Sequence, residues 1–463
     1  MRIAVGLLLA VPGMLSAGGT APGRTSERQV TFSRDVAPIL YQHCVACHRP
    51  GEVAPMSLLD YKSARPWAKA MRQAVMTRKM PPWLADARYG AFSNDARLSD
   101  ADIETIRKWA DAGAPEGDPH DLPPQPKFIE GWQLGQPDIV IDIGQTYHLK
   151  PGKDDYEHFV VPTNLTDGVW IRAAELRPGN RRVVHHGHLN FVHDAAQAGP
   201  TTIQSMHTLN NYLEHDGNLT RISMNAPVLD DSCRADAPDL PYIHGTQEGA
   251  VASYLPGRPP DVFPPNTAKW IPAGTKFEFV IHYAPTGKEG ETDRTSVGLY
   301  LAKGKPEQVL RRMDLRNFFF LIPPGAPNHE VKRCYTFERD KVLLSITPHM
   351  HGRGKDMRYD LKRPDGTIQT LLYVPRYDFN WQLVYRLKQP VYVEKGSVLT
   401  VTAHYDNSAN NPMNPDPSKA IRWGDKTEEE MMTSWIEYVD GGNQHADASI
   451  GRPVVNAPGD LLH

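Results

Sequence analysis

With 463 residues, the chain is too long for one hydrophobic core, and domain sizes predict about three folded units. Its formal net charge of −3 and mean hydropathy of −0.49 are typical of a soluble protein. No basic stripe interleaved with aromatic residues stands out, so the sequence does not support nucleic-acid binding. Its 41 prolines and 36 glycines predict many turns and short strands, as in β-sandwich folds.

Residues 1–18 have the pattern of a secretory signal peptide. Arg2 supplies a short positive start, an apolar stretch runs through Leu15, and Ser16-Ala17-Gly18 is a candidate cleavage site. An uncleaved membrane anchor is the alternative, but the apolar stretch is shorter than the ~20 residues that a spanning helix needs. The sequence therefore predicts export to an oxidising compartment such as the periplasm.

Residues 28–118 contain the most specific motif of the chain, Cys44-x-x-Cys47-His48. This is the attachment motif of c-type haem, in which two thiols bond the vinyl groups and the histidine is an axial ligand. A helix predicted over Phe32–Leu40 leads into the motif, and the arrangement resembles a small class I cytochrome c. A thioredoxin-like redox pair is the alternative, but no βαβ pattern surrounds the motif.

Met80 is the predicted second axial ligand of this haem, because it lies on a proline-stiffened loop. A His/Met pair raises the reduction potential, which suits an electron carrier. Met71 and Met76 lie on a helix predicted over Ala68–Met76, where methionine is more often core filler than ligand. A further helix, predicted from Ser99 to Trp109, closes the domain.

Residues 119–154 are predicted to be a linker that begins with a proline-rich stretch. Beyond them no helical period of any length is found, and short apolar runs alternate with Gly, Pro, Asn and Asp. The predicted fold class is therefore multidomain, with a small all-α cytochrome c domain followed by two all-β domains. Residues 441–463 are predicted to be a mobile tail without an assigned role.

Three histidines fall within four residues at His185, His186 and His188. Regular strand alternation puts His186 and His188 on one face and His185 on the other, whereas adjacent ligands need a bulge or strand end nearby. About ninety residues later, His282 lies on a strand opposite Phe277, Phe279 and Ile281. A single strand histidine is more often structural, and only the nearby pair favours metal binding by His282.

His349 and His351 lie two residues apart at the end of an apolar strand. A period of two predicts both on the face opposite Val342, Leu344 and Ile346. Neighbouring imidazoles on one face can chelate one ion, and nitrogen donors suit copper or zinc. Two surface histidines beside a glycine turn are the alternative.

The order of these motifs resembles that of the copper type II, ascorbate-dependent monooxygenases. The order is a His-His pair, a lone histidine about a hundred residues on, His-x-His, and an acidic turn that ends in Met431-Met432. The resemblance covers roughly residues 155–440. It implies two jelly-roll sandwiches, over residues 155–308 and 312–440, each with one copper ion facing a solvent-filled cleft.

The resemblance also implies the ligands of both copper ions. An electron-transfer copper would be held by His185, His186 and His282, with His188 as an alternative ligand. A second copper, where dioxygen and substrate meet, would be held by His349, His351 and Met431, and a soft thioether beside two imidazoles favours Cu(I). Strand alternation sends Met431 and Met432 to opposite faces, and the family spacing selects Met431.

One departure from the family concerns the substrate. Peptide-amidating members have an arginine two residues before the first histidine of the His-x-His pair, where it holds the peptide carboxylate. Thr347 occupies that position here. A glycine-extended peptide is therefore not the expected substrate.

The chain has two cysteines outside the haem motif, Cys233 and Cys334. Members from animals are rich in disulfides, and this pair is all that remains here. In an exported protein the two cysteines can form a disulfide, and two free buried thiols are the alternative.

Together these features predict an exported monooxygenase that hydroxylates a C–H bond with O2. Its cofactors would be two copper ions and one covalent haem c, with electrons from ascorbate or a periplasmic redox protein passing through the haem. The substrate would be a small organic molecule of unknown identity. The alternatives are a non-catalytic haem and copper carrier and a β-sandwich binding module with incidental histidines.

Overall fold

The computed structural model describes residues 28–52, 54–151, 155–192, 212–216, 219–234, 251–284 and 286–442. The predicted signal peptide, residues 1–18, lies outside these ranges, as do residues 443–463 of the predicted tail. Among the described residues, no helix is both long and apolar enough to cross a membrane.

All α-helices of the described chain lie before residue 112, in what we call the helical unit. They are α1 (Ala37–His43), α2 (Tyr61–Ala64), α3 (Ala68–Met76) and α4 (Asp100–Asp111). Helix α3 has the bounds that the sequence predicts. Helix α4 begins after Ser99, whose hydroxyl accepts a hydrogen bond from the Asp102 N–H at 3.1 Å, which satisfies one of the unpaired donors of the first turn. Phe32, Leu40 and Trp109 are buried in the core of the unit.

The next part of the chain, the first β unit, consists of short strands. They are β1 (Ile139–Asp142), β2 (Tyr147–His148), β3 (Asp155–Pro162), β4 (Val169–Arg177), β5 (Val184–Val192), β6 (Leu213–Asp216), β7 (Leu219–Ile222), β8 (Ala252–Tyr254), β9 (Asp261–Val262), β10 (Thr267–Ile271), β11 (Lys276–Tyr283), β12 (Thr292–Asp293), β13 (Ser296–Leu301) and β14 (Gln308–Val309). One sheet has the order β1-β13-β4-β10-β14, with β9 also paired to β4, and another has the order β3-β11-β5-β8. Phe277, Phe279 and Ile281 of β11 are buried in its core, on the face that alternation predicts.

The second β unit contains two four-stranded sheets. Its strands are β15 (Arg311–Arg316), β16 (His329–Thr336), β17 (Lys341–His349), β18 (Gly354–Lys362), β19 (Ile368–Val374), β20 (Tyr385–Val393), β21 (Val398–Tyr405) and β22 (Thr433–Asp440). The sheet orders are β15-β22-β17-β20 and β16-β21-β18-β19. Every second residue of β21 is buried, as expected for a strand with one face in a core. The jelly-roll topology expected for both β units stays a prediction.

A β-bulge in β17 changes which residues share a face with His349. The pairing of β17 shifts between Leu343 and Ser345. As a result Leu344 packs into the core of the first β unit, whereas Leu343 and Ile346 lie in the core of the second. The prediction that Val342, Leu344 and Ile346 share one face was therefore wrong, because a bulge interrupts the period of two.

Two segments pack in a different unit from the one to which the boundaries predicted from the sequence assign them. Trp83 and Phe92, from the predicted cytochrome range 28–118, pack in the core of the second β unit against Tyr385. Ile222, from the range 155–308, is buried in that same core. Short aromatic and aliphatic runs do not reveal which of several neighbouring cores they join.

A disulfide joins the segment that follows Ile222 to the second β unit. Cys233 is bonded to Cys334 of β16, 101 residues away in sequence. Cys334 also contacts the Thr400 hydroxyl of the neighbouring strand at 3.2 Å. Of the two alternatives for this cysteine pair, the structure contains the disulfide and not two free thiols.

Candidate metal centres

Three histidines of the first β unit converge because of a bulge in β5. On β11, His282 lies opposite His186, and the next residue, Tyr283, lies opposite Val184. His185 is therefore the extra residue of the bulge, and it shares the site with its neighbour His186. This is the local irregularity that two adjacent ligands require.

The three imidazoles present their Nδ1 atoms to one point. The separations are 3.1 Å from His185 to His282, 3.4 Å from His185 to His186, and 3.4 Å from His186 to His282. A point equidistant from all three nitrogens lies about 1.9 Å from each, close to the ~2.0 Å of an imidazole–metal bond. Burial, together with the neighbouring histidines, holds the pKa of His186 well below its usual value. The His186 ring is thus neutral and has a lone pair for a metal ion.

His188 stands apart from this triad. Its ring centroid is 5.8 Å from that of His186 and 6.0 Å from that of Trp435. The potential metal-binding group that the described residues form contains His185, His186 and His282, without His188. Burial lowers the pKa of His188 to about 4, so it is a neutral residue of the cavity wall.

A second pair of imidazoles lies at the end of β17. The ring centroids of His349 and His351 are 5.3 Å apart. Nδ1 of His349 donates to Oε1 of Gln382 at 3.0 Å, and Nδ1 of His351 donates to the Glu429 carbonyl at 3.2 Å. These partners fix both tautomers and leave the two Nε2 atoms for a metal ion, an arrangement common around metal-binding histidines.

Met431 and Met432 have different surroundings. Met431 is half-buried and lines the same cavity as His349 and His351. Met432 is 1% exposed and belongs to the core of the second β unit. Of the two thioethers, that of Met431 is therefore the one that the fold places beside the imidazole pair.

Glu430 is a buried residue that sequence reasoning missed. Its carboxylate accepts hydrogen bonds from the backbone N–H groups of His351 at 2.8 Å, Arg353 at 2.7 Å and Met431 at 3.1 Å. Burial raises its pKa to about 7. The side chain braces the backbone at two candidate ligand positions, one just after β17 and the other just before β22. No sequence pattern separates it from Glu428 and Glu429, which precede it in the same acidic turn.

Both histidine groups contribute to the wall of one cavity of about 320 Å³, the first of them through His186. Its wall includes His186 and His188 from the first β unit and His349, His351 and Met431 from the second. Gln382 spans the gap between the groups, because its Nε2 lies 3.4 Å from Nε2 of His186 while its Oε1 contacts His349. Gln382 is another residue that no sequence motif identifies.

The haem-attachment motif follows α1. Cys44 and Cys47 are free thiols, and burial raises their pKa values to about 12 and about 11. Burial lowers the pKa of His48, and its Nδ1 is buried with no hydrogen-bond partner among the described residues. Two unpaired thiols beside a neutral imidazole with a free nitrogen fit covalent haem attachment.

The methionines considered as haem ligands occupy three different environments. Met80 is half-buried in the turn after α3, where its N–H donates to the Ala74 carbonyl at 3.3 Å. Met71 is buried in the helical core, as expected of core filler. Met76 is 45% exposed at the end of α3.

The C-terminal part of the chain is similar to a known protein family. Residues 316–451 match the model of the copper type II ascorbate-dependent monooxygenase, C-terminal domain. This region contains His349, His351 and Met431. The match shows that this part of the chain is similar to the C-terminal domain of that family.

A curated human protein is also similar to part of this chain. DBH-like monooxygenase protein 1 of Homo sapiens is 24% identical over 259 residues, which are 49% of this chain and 39% of that protein. The matched region thus spans about two fifths of the relative. Solved structures of allantoicase and of infectious bursal disease virus match with 9% identity and TM-scores of 0.16 and 0.18. They cover 56% and 66% of this chain, and 81% and 71% of their own chains, and their overall folds differ from that of this chain.

Proposed function

We propose that this chain is an exported copper monooxygenase that hydroxylates a C–H bond of a small organic molecule. One oxygen atom of O2 would enter the product, and the other would leave as water after the uptake of two electrons and two protons. The observation that carries the proposal is that His186 of the all-histidine group lines the same cavity as His349, His351 and Met431.

His185, His186 and His282 would hold an electron-transfer copper, and His349, His351 and Met431 would hold the copper at which O2 and substrate meet. Copper at these sites supplies one-electron redox chemistry and the activation of O2. The protein's part is to fix the ligands. Gln382 and the Glu429 carbonyl orient the imidazoles, while Glu430 keeps Met431 in register with them.

The cavity supports a small substrate. A space of about 320 Å³ is near the lower end of ordinary ligand pockets. Trp435 and Phe379 border the second site, with ring centroids 5.0 Å from His349 and 5.4 Å from His351. These aromatic surfaces would position an apolar part of the substrate. Thr347 lines a smaller adjoining pocket, and its hydroxyl provides no cation for a peptide carboxylate.

The N-terminal module would deliver the electrons. Haem c bound through Cys44 and Cys47, with His48 and Met80 as axial ligands, would supply them one at a time. Ascorbate or a periplasmic redox protein would be the donor. The Cys233–Cys334 disulfide supports export to an oxidising compartment, since disulfides persist there.

Metal analysis tests this proposal. The full chain, matured with haem and loaded with copper, should contain two copper ions and one haem. His349→Ala should lose about one copper ion, whereas His120→Ala, at a fully exposed histidine, should lose none. Oxygen uptake that depends on an added C–H substrate would then establish catalysis. Haem without stoichiometric copper in the wild type would overturn the proposal, and copper without such uptake would favour the electron carrier.

A further inference from the structure

The haem-attachment loop is packed against the first β unit. Gly257 lies in the loop after β8 with φ of +77°, and a Cβ at this position would overlap Sγ of Cys47. Glycine is therefore required at this position for two reasons, the left-handed backbone conformation and the close approach of the thiol. The Cys47 side of the motif faces this loop.

A partly buried ion cluster joins the same two units. Arg181 Nη1 donates to the Glu52 carboxylate at 2.8 Å, and Arg49 donates to the same oxygen atom. The Glu52 side chain is only 7% exposed, so both arginines interact with a largely desolvated carboxylate. Arg181 is four residues before His185. The pair therefore connects the haem-attachment loop to the chain segment that leads into the histidine triad.

Tyr254, the last residue of β8, lies next to both the loop and the triad strand. It is 8% exposed, and its hydroxyl is buried without a hydrogen-bond partner among the described residues. Glu52, Arg181 and Cys47 are close enough to influence it electrostatically. On the neighbouring strand its Cα partner is Gly187, the residue between His186 and His188. Paired strands are only about 4.8 Å apart.

We propose that Arg181, Tyr254 and Gly257 form the docking contact that holds the haem-attachment loop beside the His185/His186/His282 site. Electrons would pass across this contact, so that ferrous haem is oxidised to ferric haem while one Cu(II) at the triad is reduced to Cu(I). The inference rests on the proposed function and adds to it the route of electron transfer, which runs through β8 and β5. Tyr254 and Arg181 are positioning residues in this scheme, since neither contacts the copper ligands directly.

The test is anaerobic electron transfer in the full chain without substrate. Ferrous, copper-free protein is mixed with saturating Cu(II), and haem oxidation is followed by visible absorbance and Cu(II) loss by electron paramagnetic resonance. His282→Ala gives the background rate for copper outside the triad. We expect Arg181→Glu and Tyr254→Ala to slow the triad-dependent phase at least tenfold with copper and haem contents unchanged. Arg181→Lys should restore most of the rate, and Tyr254→Phe should stay near wild type.

A matched control and a second readout keep the outcomes distinct. Arg107→Glu changes a partly exposed arginine of α4 whose ion-pair partners among the described residues are in its own helix, and it should leave the rate unaltered. Hydrogen exchange of residues 44–52 should increase in Arg181→Glu, whether or not copper is present. If wild-type ferrous haem does not reduce copper at the triad, the proposed haem delivery fails. If it does, and the Arg181 and Tyr254 variants react at the wild-type rate with unchanged exchange, the docking contact is refuted.

Discussion

Oε1 of Gln382 accepts a hydrogen bond from Nδ1 of His349 at 3.0 Å, although 33 residues separate them in sequence. The bond fixes the tautomer of His349 and turns its Nε2 toward the cavity. The other end of the same amide lies 3.4 Å from His186. One neutral side chain thus lies beside a candidate ligand of each proposed copper site.

Replacing Gln382 should weaken the second copper site selectively. In Gln382→Leu, His349 loses the acceptor that orients it, and removing such a partner typically costs 10–100-fold in metal affinity. Competitive copper titration should show this loss for one of the two ions. Gln369→Leu, at an exposed glutamine of β19, is the control. Equal weakening of both ions in Gln382→Leu would contradict the assignment.

The two adjacent methionines should have opposite phenotypes. Met431→Ala should reduce Cu(I) affinity with little change in unfolding free energy, because the side chain lines the cavity. Met432→Ala should keep copper but lose about 2–5 kcal/mol of stability, since it removes a buried core side chain. Cu(I) competition with a colorimetric chelator and denaturant unfolding separate the two effects. The reverse pattern would move the thioether ligand to Met432.

Glu430 should matter for both stability and metal binding. Glu430→Ala leaves two buried and one half-buried backbone N–H groups without their acceptor, which we expect to cost about 3 kcal/mol. It should also lower copper occupancy at the second site, because His351 and Met431 lose their common brace. Denaturant unfolding and metal analysis measure the two effects. Glu428→Ala, at an exposed position of the same turn, should do neither.

The contact between the β units should depend on pH. Burial would raise the pKa of Glu437, but the Lys269 ammonium at 3.0 Å, with Arg386 and the Ser345 hydroxyl, lowers it to about 2. An unfolded glutamate titrates near ~4.3, so this pair stabilises the fold above about pH 5 and the contribution is lost as the pH falls toward 2.

Unfolding of Glu437→Gln at several pH values checks this sign. Its free-energy difference from the wild type should be largest near neutrality and shrink steadily under acid conditions. Glu394→Gln, at an exposed glutamate, should differ little from wild type at any pH. A difference that grows on acidification would show that the glutamate is not held ionised by Lys269.

Sequence patterns located the histidines that the fold brings together, because ligand identity and spacing are local properties. They did not decide which of His185, His186 and His188 are ligands, since a one-residue bulge in β5 determines which rings share a face. A second bulge made the alternation prediction for β17 wrong in the same way.

The residues that orient the candidate ligands could not be predicted from the sequence, for a different reason. Glu430 and Gln382 act through contacts with residues 79 and 33 positions away, and nothing local marks an acidic turn as buried or a glutamine as shared. Trp83 likewise joins a core formed mainly by residues more than two hundred positions later. Such long-range packing is set by the tertiary fold.

The Cys233–Cys334 disulfide means that the two β units are linked twice. The chain leaves the first unit after β5, places Ile222 in the core of the second, and returns to form β8. A protease cut between Val309 and Arg311 would therefore yield fragments that stay covalently joined until a reductant is added. Neither fragment would contain all the residues of its own core. The cavity between the two β units therefore depends on both fragments staying together.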